Sequence, residues 1–455
     1  MSADAQQIVP LWLTIEVINM AFDTKCSALL SLVIAVVGVV GMTHTMPAMA
    51  GSGWVSAGAP QAGKQCETNS INNSGEEAGY CLPATDNGPE VAWVSLNQGA
   101  PTKLAPLALN KGCQADVVAA NGMISGYCLD AHDVQYAVTW ASPSSAPTKL
   151  APLPLLSGLN LAPDVATFEA GENQSGAVVG GSTGAAGAED STVVIWPAGS
   201  GNPIEVSSYG DNCDPVDITD SNGSGGQPNV AMDCPDPANP GTSYGKVAQY
   251  TCTLGLLCGY NATVLPIPAG YADCEVESMN NALQAVGTCH SQAPAVGQAQ
   301  EQAAYWASPT SQPVLLQTVT GQSGTPSSEA DGINNNGNVL VEFQTSAGVT
   351  NIAYWVPSST SATAIPLLSG GLRDWPVDIS DTSNRVVFNS EINVGGLVEE
   401  HGAYWTPGAA QATDAGTYNG GSSSEFNAIS PNGVYGAGIA PGNLGNENSV
   451  VITAF

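Results

Sequence analysis

Short runs of alternating apolar and polar residues recur along the chain, and many end in turns rich in Asn, Ser and Gly. An apolar residue often lies four places before the turn glycine, as Ile71 does before Gly75 and Ile333 before Gly337. Asn and Gly tolerate the positive φ of a hairpin turn, so this pattern predicts two antiparallel strands. A loop, a strand containing tryptophan and a short outer strand follow. The outer strand contains proline, which belongs on a sheet edge because it cannot donate to a ladder.

This four-stranded unit repeats with a period near 50 residues. The gaps between successive tryptophans are 47, 56, 110, 49 and 50 residues, and the 110-residue gap holds one more unit, with Tyr250 in the tryptophan place. Repeated units of this size are typical of propeller blades. The tryptophans are Trp93, Trp140, Trp196, Trp306, Trp355 and Trp405.

The repeats predict an all-β fold: a single β-propeller domain over residues 51–455 with about eight four-stranded blades, or seven as the second choice. The last unit lacks an outer strand, whereas residues 51–60 form a strand without a partner. Pairing of these two ends would close the ring and hide both edges. The predicted blades begin near residues 66, 113, 166, 213, 274, 327, 374 and 423.

Ten of the eleven cysteines lie in the predicted propeller, and most flank a hairpin symmetrically. A zinc site would need closely spaced cysteine or histidine pairs, and the chain has no CxxC motif, so disulfides are favoured. A bridge that closes about fifteen residues contributes roughly 3 kcal/mol in the chain-entropy model. The predicted pairs are Cys66–Cys81, Cys113–Cys128, Cys213–Cys234, Cys252–Cys258 and Cys274–Cys289.

The N-terminal 50 residues are predicted to be an upstream extension followed by a signal peptide. Lys25 precedes an apolar run from Ala28 to Met42, and the small-x-small sequence that ends at Ala50 resembles a cleavage site. A membrane anchor is the alternative, but fifteen apolar residues fall short of the roughly 20 that span a bilayer. Cleavage would also remove Cys26 and leave an even number of cysteines. We therefore expect a secreted protein, extracellular or periplasmic, with no membrane insertion after cleavage.

The net charge of −31 narrows the choice of partners. Loss of residues 1–50 removes one lysine and three acidic residues and leaves −29. Such a surface repels phosphate backbones and anionic membranes, so nucleic acid is excluded as a partner. The alternative is that the negative charge has no role in partner choice and only keeps a secreted, monomeric protein soluble.

Units that read "IN..G..vG", a loop, "AYW" and a leucine-containing strand resemble the bacterial extracellular HAF repeats. The resemblance covers nearly all of residues 51–455. It implies a secreted β-propeller and provides no catalytic residues.

The length from the hairpin to the tryptophan strand varies between units, and variable loops on a rigid scaffold commonly bind ligands. We call the face that carries these loops the variable-loop face. His132, Asp133, His290, Glu400 and His401 are assigned to these loops and are the candidate binding residues, for a metal or for proton transfer. Unrelated polar loop residues are the favoured alternative.

The aspartate-rich segment "DNCDPVDITDSNG" raises the possibility of calcium ligands. It lacks the EF-hand spacing, and the parallel segment "DWPVDISDTSN" favours ordinary turn aspartates, so no cofactor is expected. The tryptophans are interpreted as packing between sheets rather than as a sugar platform.

Two functions remain open. The first is a non-catalytic scaffold that binds an extracellular protein or a neutral glycan through the variable-loop face. The alternative is a glycan-active enzyme, a glycoside hydrolase or lyase, with paired carboxylates in the central pocket. Binding is favoured because no tuned acid-base group is recognisable, and the catalytic residues of the alternative are unknown.

Overall fold

The computed structural model describes residues 53–56, 58, 65–83, 88–96, 99–154, 164–184, 191–208, 211–223, 226–239, 241–253, 257–292, 300–316, 319–322, 325–442 and 447–453. Regular structure in these residues is entirely β-strand, and none of their segments is a helix that could cross a membrane. The predicted signal peptide and its extension lie outside the described residues.

The strands follow the sequence repeat, and we number the repeats as units 1 to 8. A short strand, β1 (Trp54–Ser56), precedes them. Unit 1 contains β2 (Cys66–Ile71), β3 (Glu77–Cys81), β4 (Val91–Ser95) and β5 (Thr102–Lys103). Unit 2 contains β6 (Cys113–Val118), β7 (Ile124–Leu129), β8 (Gln135–Trp140) and β9 (Thr148–Lys149). Unit 3 contains β10 (Ala166–Glu172), β11 (Val178–Thr183), β12 (Ser191–Trp196) and β13 (Ile204–Glu205).

The remaining units have the same strand order. Unit 4 contains β14 (Asp214–Asn222), β15 (Pro228–Pro235), β16 (Ser243–Thr253) and β17 (Leu257–Val264). Unit 5 contains β18 (Tyr271–Met279), β19 (Ala285–Ser291), β20 (Glu301–Trp306) and β21 (Val314–Leu315). Unit 6 contains β22 (Ser328–Ile333), β23 (Val339–Gln344), β24 (Thr350–Trp355) and β25 (Thr363–Ala364). Unit 7 contains β26 (Gly371–Ile379), β27 (Val386–Val394), β28 (Leu397–Trp405) and β29 (Thr413–Asp414), and unit 8 contains β30 (Glu425–Ile429), β31 (Tyr435–Pro441) and β32 (Glu447–Thr453).

The prediction of eight separate four-stranded blades, or of seven, needs correction. The described strands form six four-stranded sheets and one eight-stranded sheet. The large sheet arises because the long third strand of unit 4 begins beside unit 5, where Tyr244 forms a parallel bridge with Cys274. Units 4 and 5 are therefore hydrogen-bonded to each other rather than only packed face to face.

The sheets follow one another around a closed ring, which is the β-propeller architecture. The first strand of each unit packs against the sheet of the unit before it, and β2 packs against β30, β31 and β32 of the last unit. The first strands are innermost, because their ends in units 2 to 8 line one common cavity. β1 pairs antiparallel with β32, from Trp54 opposite Ile452 to Ser56 opposite Val450. The predicted pairing of the chain ends is therefore present, and it completes the last sheet.

All five predicted disulfides are present. In units 1, 2 and 5 the two cysteines are directly opposite in the ladder between the first and second strands. Cys252 and Cys258 hold together the distal part of the long β16–β17 ribbon. Each bridge thus lies within one unit, and Cys213, directly before β14, is the one cysteine of the five bridges that is not on a strand.

The turns between first and second strands are tied to one another around the ring. Asn72 Nδ2 donates to the carbonyl of Ala119, and Asn334 Nδ2 donates to that of Ser380, at 2.9 and 3.0 Å. The two asparagine side chains are buried, so they are structural. The eight links, which we call the turn belt, are Asn72–Ala119, Asn121–Ser175, Asn173–Thr219, Asp217–Met279, Asn280–Asn334, Asn334–Ser380, Thr382–Pro431 and Asn432–Asn73.

The repeat tryptophans are buried, which confirms that they pack between sheets. Trp140, Trp196 and Trp306 donate their indole N–H to a carbonyl of the preceding unit, at 2.8 to 2.9 Å. Trp355 and Trp405 donate instead to the turn that follows in their own unit. These five tryptophans therefore contribute both apolar burial and a satisfied polar group, whereas the buried indole N–H of Trp93 has no hydrogen-bond partner among the described residues.

Candidate functional site

The first strands surround a central channel, and a β-bulge at the same place in every unit exposes side chains to it. The register between first and second strands shifts near the middle of each inner hairpin, and the hairpins of units 4, 5 and 7 have a second shift elsewhere. A bulge leaves one residue outside the ladder and can re-aim its side chain. The bulged residues include Asp116, Glu277 and Asp331, and Asp217 and Asp378 directly follow a bulge.

A glycine opposite the bulge allows the close approach of the two strands. A Cβ atom at Gly79 would lie 1.9 Å from the carbonyl oxygen of Glu67, and one at Gly287 would lie 2.0 Å from that of Glu275. Gly126, Gly180 and Gly438 occupy the same position in their units. This contact explains the glycine that the repeat places in its second strand.

At the turn end of the channel, two distant copies of one motif come together. "PVDITD" of unit 4 and "PVDISD" of unit 7 supply Asp217, Asp220, Asp378 and Asp381 to one cavity of about 270 Å³. We call it the turn-face cavity; its lining includes residues of units 2 to 8. Asp217 accepts hydrogen bonds from Ser278 Oγ at 3.0 Å and from the Met279 N–H at 2.8 Å.

The electrostatics of the turn-face cavity are unfavourable for so many carboxylates. Enclosure by the channel wall raises the pKa of Asp217 to about 6, and the charge of Asp220 adds to the effect. The pKa of Asp378 rises to about 7 for the same reason, with Asp381 and Asp217 as like-charged neighbours. The Asp378 side chain is exposed to solvent, so water screens part of this repulsion. A positive group in the cavity would relieve this repulsion.

A second group of carboxylates lies between units 5 and 6, beside His290. The ring Nδ1 of His290 is 2.7 Å from Asp273 Oδ1. Burial, together with the charges of Glu275 and Glu329, raises the pKa of Glu277. Burial and the charge of Glu342 raise the pKa of Asp331 to about 8. The group therefore places carboxyls with raised pKa values next to an imidazole, a combination that is common at functional sites.

The other candidate residues from the sequence have separate surroundings. His132 and Asp133 are exposed in the loop between β7 and β8, and Asp133, at φ 63°, forms an ion pair with Lys111. Their loop placement is as predicted.

The loop placement of His290, Glu400 and His401 is wrong, because they lie on strands β19 and β28. β27 and β28 are joined by a tight turn at Gly395 and Gly396, both with positive φ, so the segment read as a loop continues the ladder. His401 is fully buried, and its Nδ1 is 3.0 Å from Asp414 Oδ2. Burial alone would lower the pKa of His401, but the hydrogen bond and charge of Asp414 outweigh it and the net shift is upward.

Glu400 is near acidic and basic side chains of units 7 and 8. Burial and the charges of Glu425 and Glu391 raise its pKa, and Arg373 opposes them. The described contacts of the five predicted binding residues therefore join each to neighbours in or next to its own unit rather than to one another.

Sequence reasoning missed the channel carboxylates because it treated the two aspartate motifs as turn residues. The signal was present: the motifs are near copies, and each places an aspartate just after the bulge. The sequence does not contain the ring geometry that brings units 4 and 7 to the same cavity, so the two motifs could not be placed together.

Comparisons with known proteins identify no family for this chain. No protein-family model and no curated protein matches the chain. Among solved structures, the β-propeller domain of the Trilobed protease from Pyrococcus furiosus matches 78% of this chain and 99% of its own, at 10% identity and a TM-score of 0.46. Puromycin hydrolase matches 86% of this chain and 62% of its own, at 14% identity and a TM-score of 0.49. The GH74 xyloglucanase from Xanthomonas campestris matches 84% and 64%, at 10% identity and a TM-score of 0.37. The chain spans less than two thirds of the last two proteins.

Proposed function

We propose that the protein is a secreted, non-catalytic propeller that binds an extracellular protein or a neutral glycan through its variable-loop face. The observation that carries this proposal is the turn belt. Its hydrogen bonds occupy the turns of one face with contacts that run from unit to unit around the ring, whereas the described parts of the loops on the other face form no such continuous series. These loops differ in length, as the two-glycine turn of unit 7 and the longer Asp236–Thr242 connection of unit 4 show.

Two further features are consistent with an extracellular role. Five disulfides are typical of proteins that fold in an oxidising compartment. The "AYW" repeats also fit the relation to HAF-repeat proteins, which remains part of the proposal.

A glycan-active enzyme is the second candidate. The observation that favours it is the group of carboxyls beside His290, since raised pKa values are what a general acid needs. This candidate would place the reaction on units 5 and 6, at Glu277, Glu329 or Asp331.

The test is a screen of residues 51–455 against polysaccharides and extracellular proteins, scored for both binding and cleavage. Once a ligand is found, replacing Asp236–Thr242 with two glycines should weaken binding without unfolding the ring. The matched control is Asn335→Ala in the turn belt region, which should lower stability and leave affinity unchanged. Cleavage that Glu277→Gln abolishes would favour the enzyme instead, and loss of binding only in Asn335→Ala would contradict the variable-loop proposal.

A further inference from the structure

The outer strand of unit 4 differs from the outer strands of the other units. β17 has eight residues, Leu257–Val264, whereas β5, β9, β13, β21, β25 and β29 have two each. Four of these short strands contain a lysine, a glutamate or an aspartate, but β17 contains no charged residue and no proline. Short length, charge and proline are the usual protection of a sheet edge against pairing with another chain. β17 is therefore an unprotected edge.

The ladder between β16 and β17 shows which main-chain groups of β17 point outwards. The Leu265 N–H donates to the Gly245 carbonyl at 2.9 Å, so these two residues form a hydrogen-bonded pair. Hydrogen-bonded and non-hydrogen-bonded pairs alternate along an antiparallel ladder. Counting from this pair, the non-hydrogen-bonded pairs are Lys246–Val264, Ala248–Ala262, Tyr250–Tyr260 and Cys252–Cys258. The N–H and C=O groups of their β17 members therefore point away from β16.

This outward row of main-chain groups has no partner in the part of the chain that the structure describes. β17 pairs with β16 alone. The main-chain hydrogen bonds outside the strand ladders do not involve the four outward residues, Cys258, Tyr260, Ala262 and Val264. A Cβ atom at Gly259, between two of them, would meet nothing within 4 Å. The edge is therefore open along its length.

Two contacts hold β17 in its extended form before any partner arrives. The Cys252–Cys258 disulfide joins it to β16 at its first turn of the ladder. Near its middle, the Tyr260 hydroxyl donates to the Pro228 carbonyl at 2.8 Å. A strand that is already ordered loses little conformational entropy when another strand pairs with it.

The charge of the protein indicates which partner fits this edge. Residues 247–264 contain no Asp, Glu, Lys or Arg, whereas the whole chain has a net charge of −31. Two copies of such a chain repel each other, and exposed charges act over roughly 10 Å at moderate salt. The uncharged β16–β17 ribbon is a surface where two copies approach at low electrostatic cost. An antiparallel edge is also complementary to itself, as the two-fold symmetry of most homo-oligomers requires.

We propose that β17 pairs antiparallel with the β17 of a second copy, so that the protein forms a two-fold symmetric dimer in place of the monomer expected from the sequence. A two-fold axis beside Asn261 sets Tyr260 opposite Ala262 of the second copy, and Cys258 opposite Val264 of the second copy. All four outward residues of each copy then exchange main-chain hydrogen bonds, about eight in total. Asn261 faces its own counterpart across the axis.

The test is sedimentation equilibrium of residues 51–455 over a wide range of protein concentrations at moderate salt. Wild type should show a monomer–dimer equilibrium. Ala262→Pro should raise the dissociation constant about tenfold or more, because proline lacks the outward N–H. The β16 ladder does not use this N–H, and Ala262 is exposed, so the fold should be kept.

The matched control is Ala364→Pro in β25, the short outer strand of unit 6. The next residue, Ile365, donates its N–H to the Ile352 carbonyl at 3.0 Å, so the Ala364 N–H also points outwards. This variant removes an equivalent donor from a protected edge. It should leave the dissociation constant unchanged.

Two charge variants test whether the partner is a second copy. Asn261 is exposed, so Asn261→Asp and Asn261→Lys should fold normally. Each variant alone should dimerise more weakly than wild type, because like charges then lie directly opposite each other at the axis. An equal mixture of the two should recover the dimer as a mixed pair, since the charges are then opposite.

Several results would overturn the proposal. A protein that sediments as a monomer at every concentration would do so. A dimer that Ala262→Pro and both Asn261 variants leave unchanged would use another surface. A monomer whose ligand from the binding screen is lost in Ala262→Pro would assign the edge to a foreign strand. Failure of the variable-loop proposal would leave the result unaffected, because sedimentation of the protein alone involves no ligand.

Discussion

Replacing Glu77 tests how one buried carboxyl sets the pH dependence of stability. Glu77 is fully buried opposite Ile71, and neither of its oxygens has a hydrogen-bond partner among the described residues. The same ladder position holds Ile124 in unit 2 and Val339 in unit 6. Unit 1 therefore places a titratable group where units 2 and 6 place an aliphatic one.

The expected magnitude follows from the pKa. Burial raises the pKa of Glu77 from 4.5 to about 8, and the nearby Thr68 hydroxyl opposes this only in part. The folded protein thus holds the proton more tightly than the unfolded chain. Stability should be greatest below about pH 4.5 and should fall as the pH rises towards 8. At 1.36 kcal/mol per pH unit, the loss from this one group reaches roughly 4 kcal/mol at pH 8 as an upper limit.

Urea unfolding of residues 51–455 at pH 5 and at pH 8 measures the effect. Glu77→Val should be more stable than the wild type at pH 8 and should lose less stability between the two pH values, and Glu77→Gln should show the same reduced slope. Glu205→Gln, on an exposed outer strand, is the control for net charge. An unchanged pH slope in both Glu77 variants would refute the reasoning, because it would mean that this carboxyl is ionised in the folded protein.

Four other outcomes are expected. Intact-mass analysis of the secreted protein after alkylation should show a start near Gly51 and no labelled thiol; one labelled cysteine would contradict the pairing. Deleting residues 51–60 should lower the melting temperature sharply and cause aggregation, because it removes β1 and the buried Trp54, whose indole donates to Gly416; an unchanged melting curve would mean that this strand does not hold the ring closed. Gly126→Ala should be strongly destabilising, because its Cβ would lie 2.2 Å from the carbonyl oxygen of Gln114, whereas Gly199→Ala, with open space around it, should cost only its positive φ. Asn334→Ala should cost roughly 1–3 kcal/mol in urea unfolding, because the buried Ser380 carbonyl loses its donor; a change within error would make the turn belt dispensable.

The sequence is informative about the repeat because the repeat rests on local signals. Tryptophans near every fiftieth residue mark the third strands, and cysteines at equal distances from a turn predict cross-strand bridges, as Cys113 and Cys128 show. The pairing of the two chain ends could also be predicted from the sequence, since the last unit lacks an outer strand and residues 51–60 supply a strand without a partner.

The site was harder to predict because it depends on geometry that no local signal encodes. A bulge shifts the register by one residue, and this decides whether Asp217 faces the channel or a neighbouring sheet. His401 was assigned to a loop because the two glycines at 395 and 396 were not recognised as a hairpin turn. The joining of units 4 and 5 depends on one bridge, Tyr244–Cys274, which no pattern in either segment predicts.

The disulfides and the ring closure act over very different distances along the chain. Each bridge closes within one unit, at sequence separations of 6 to 21, whereas Trp54 reaches a carbonyl 362 residues away. Ten cysteines allow roughly 900 pairings, but a chain that emerges gradually can oxidise one unit before the next is available. In contrast, β1 can pair with β32 only after the whole chain has been made. Until then β1 can as readily meet the β32 of another molecule, so crowded folding should yield chains that exchange their ends, with every disulfide native.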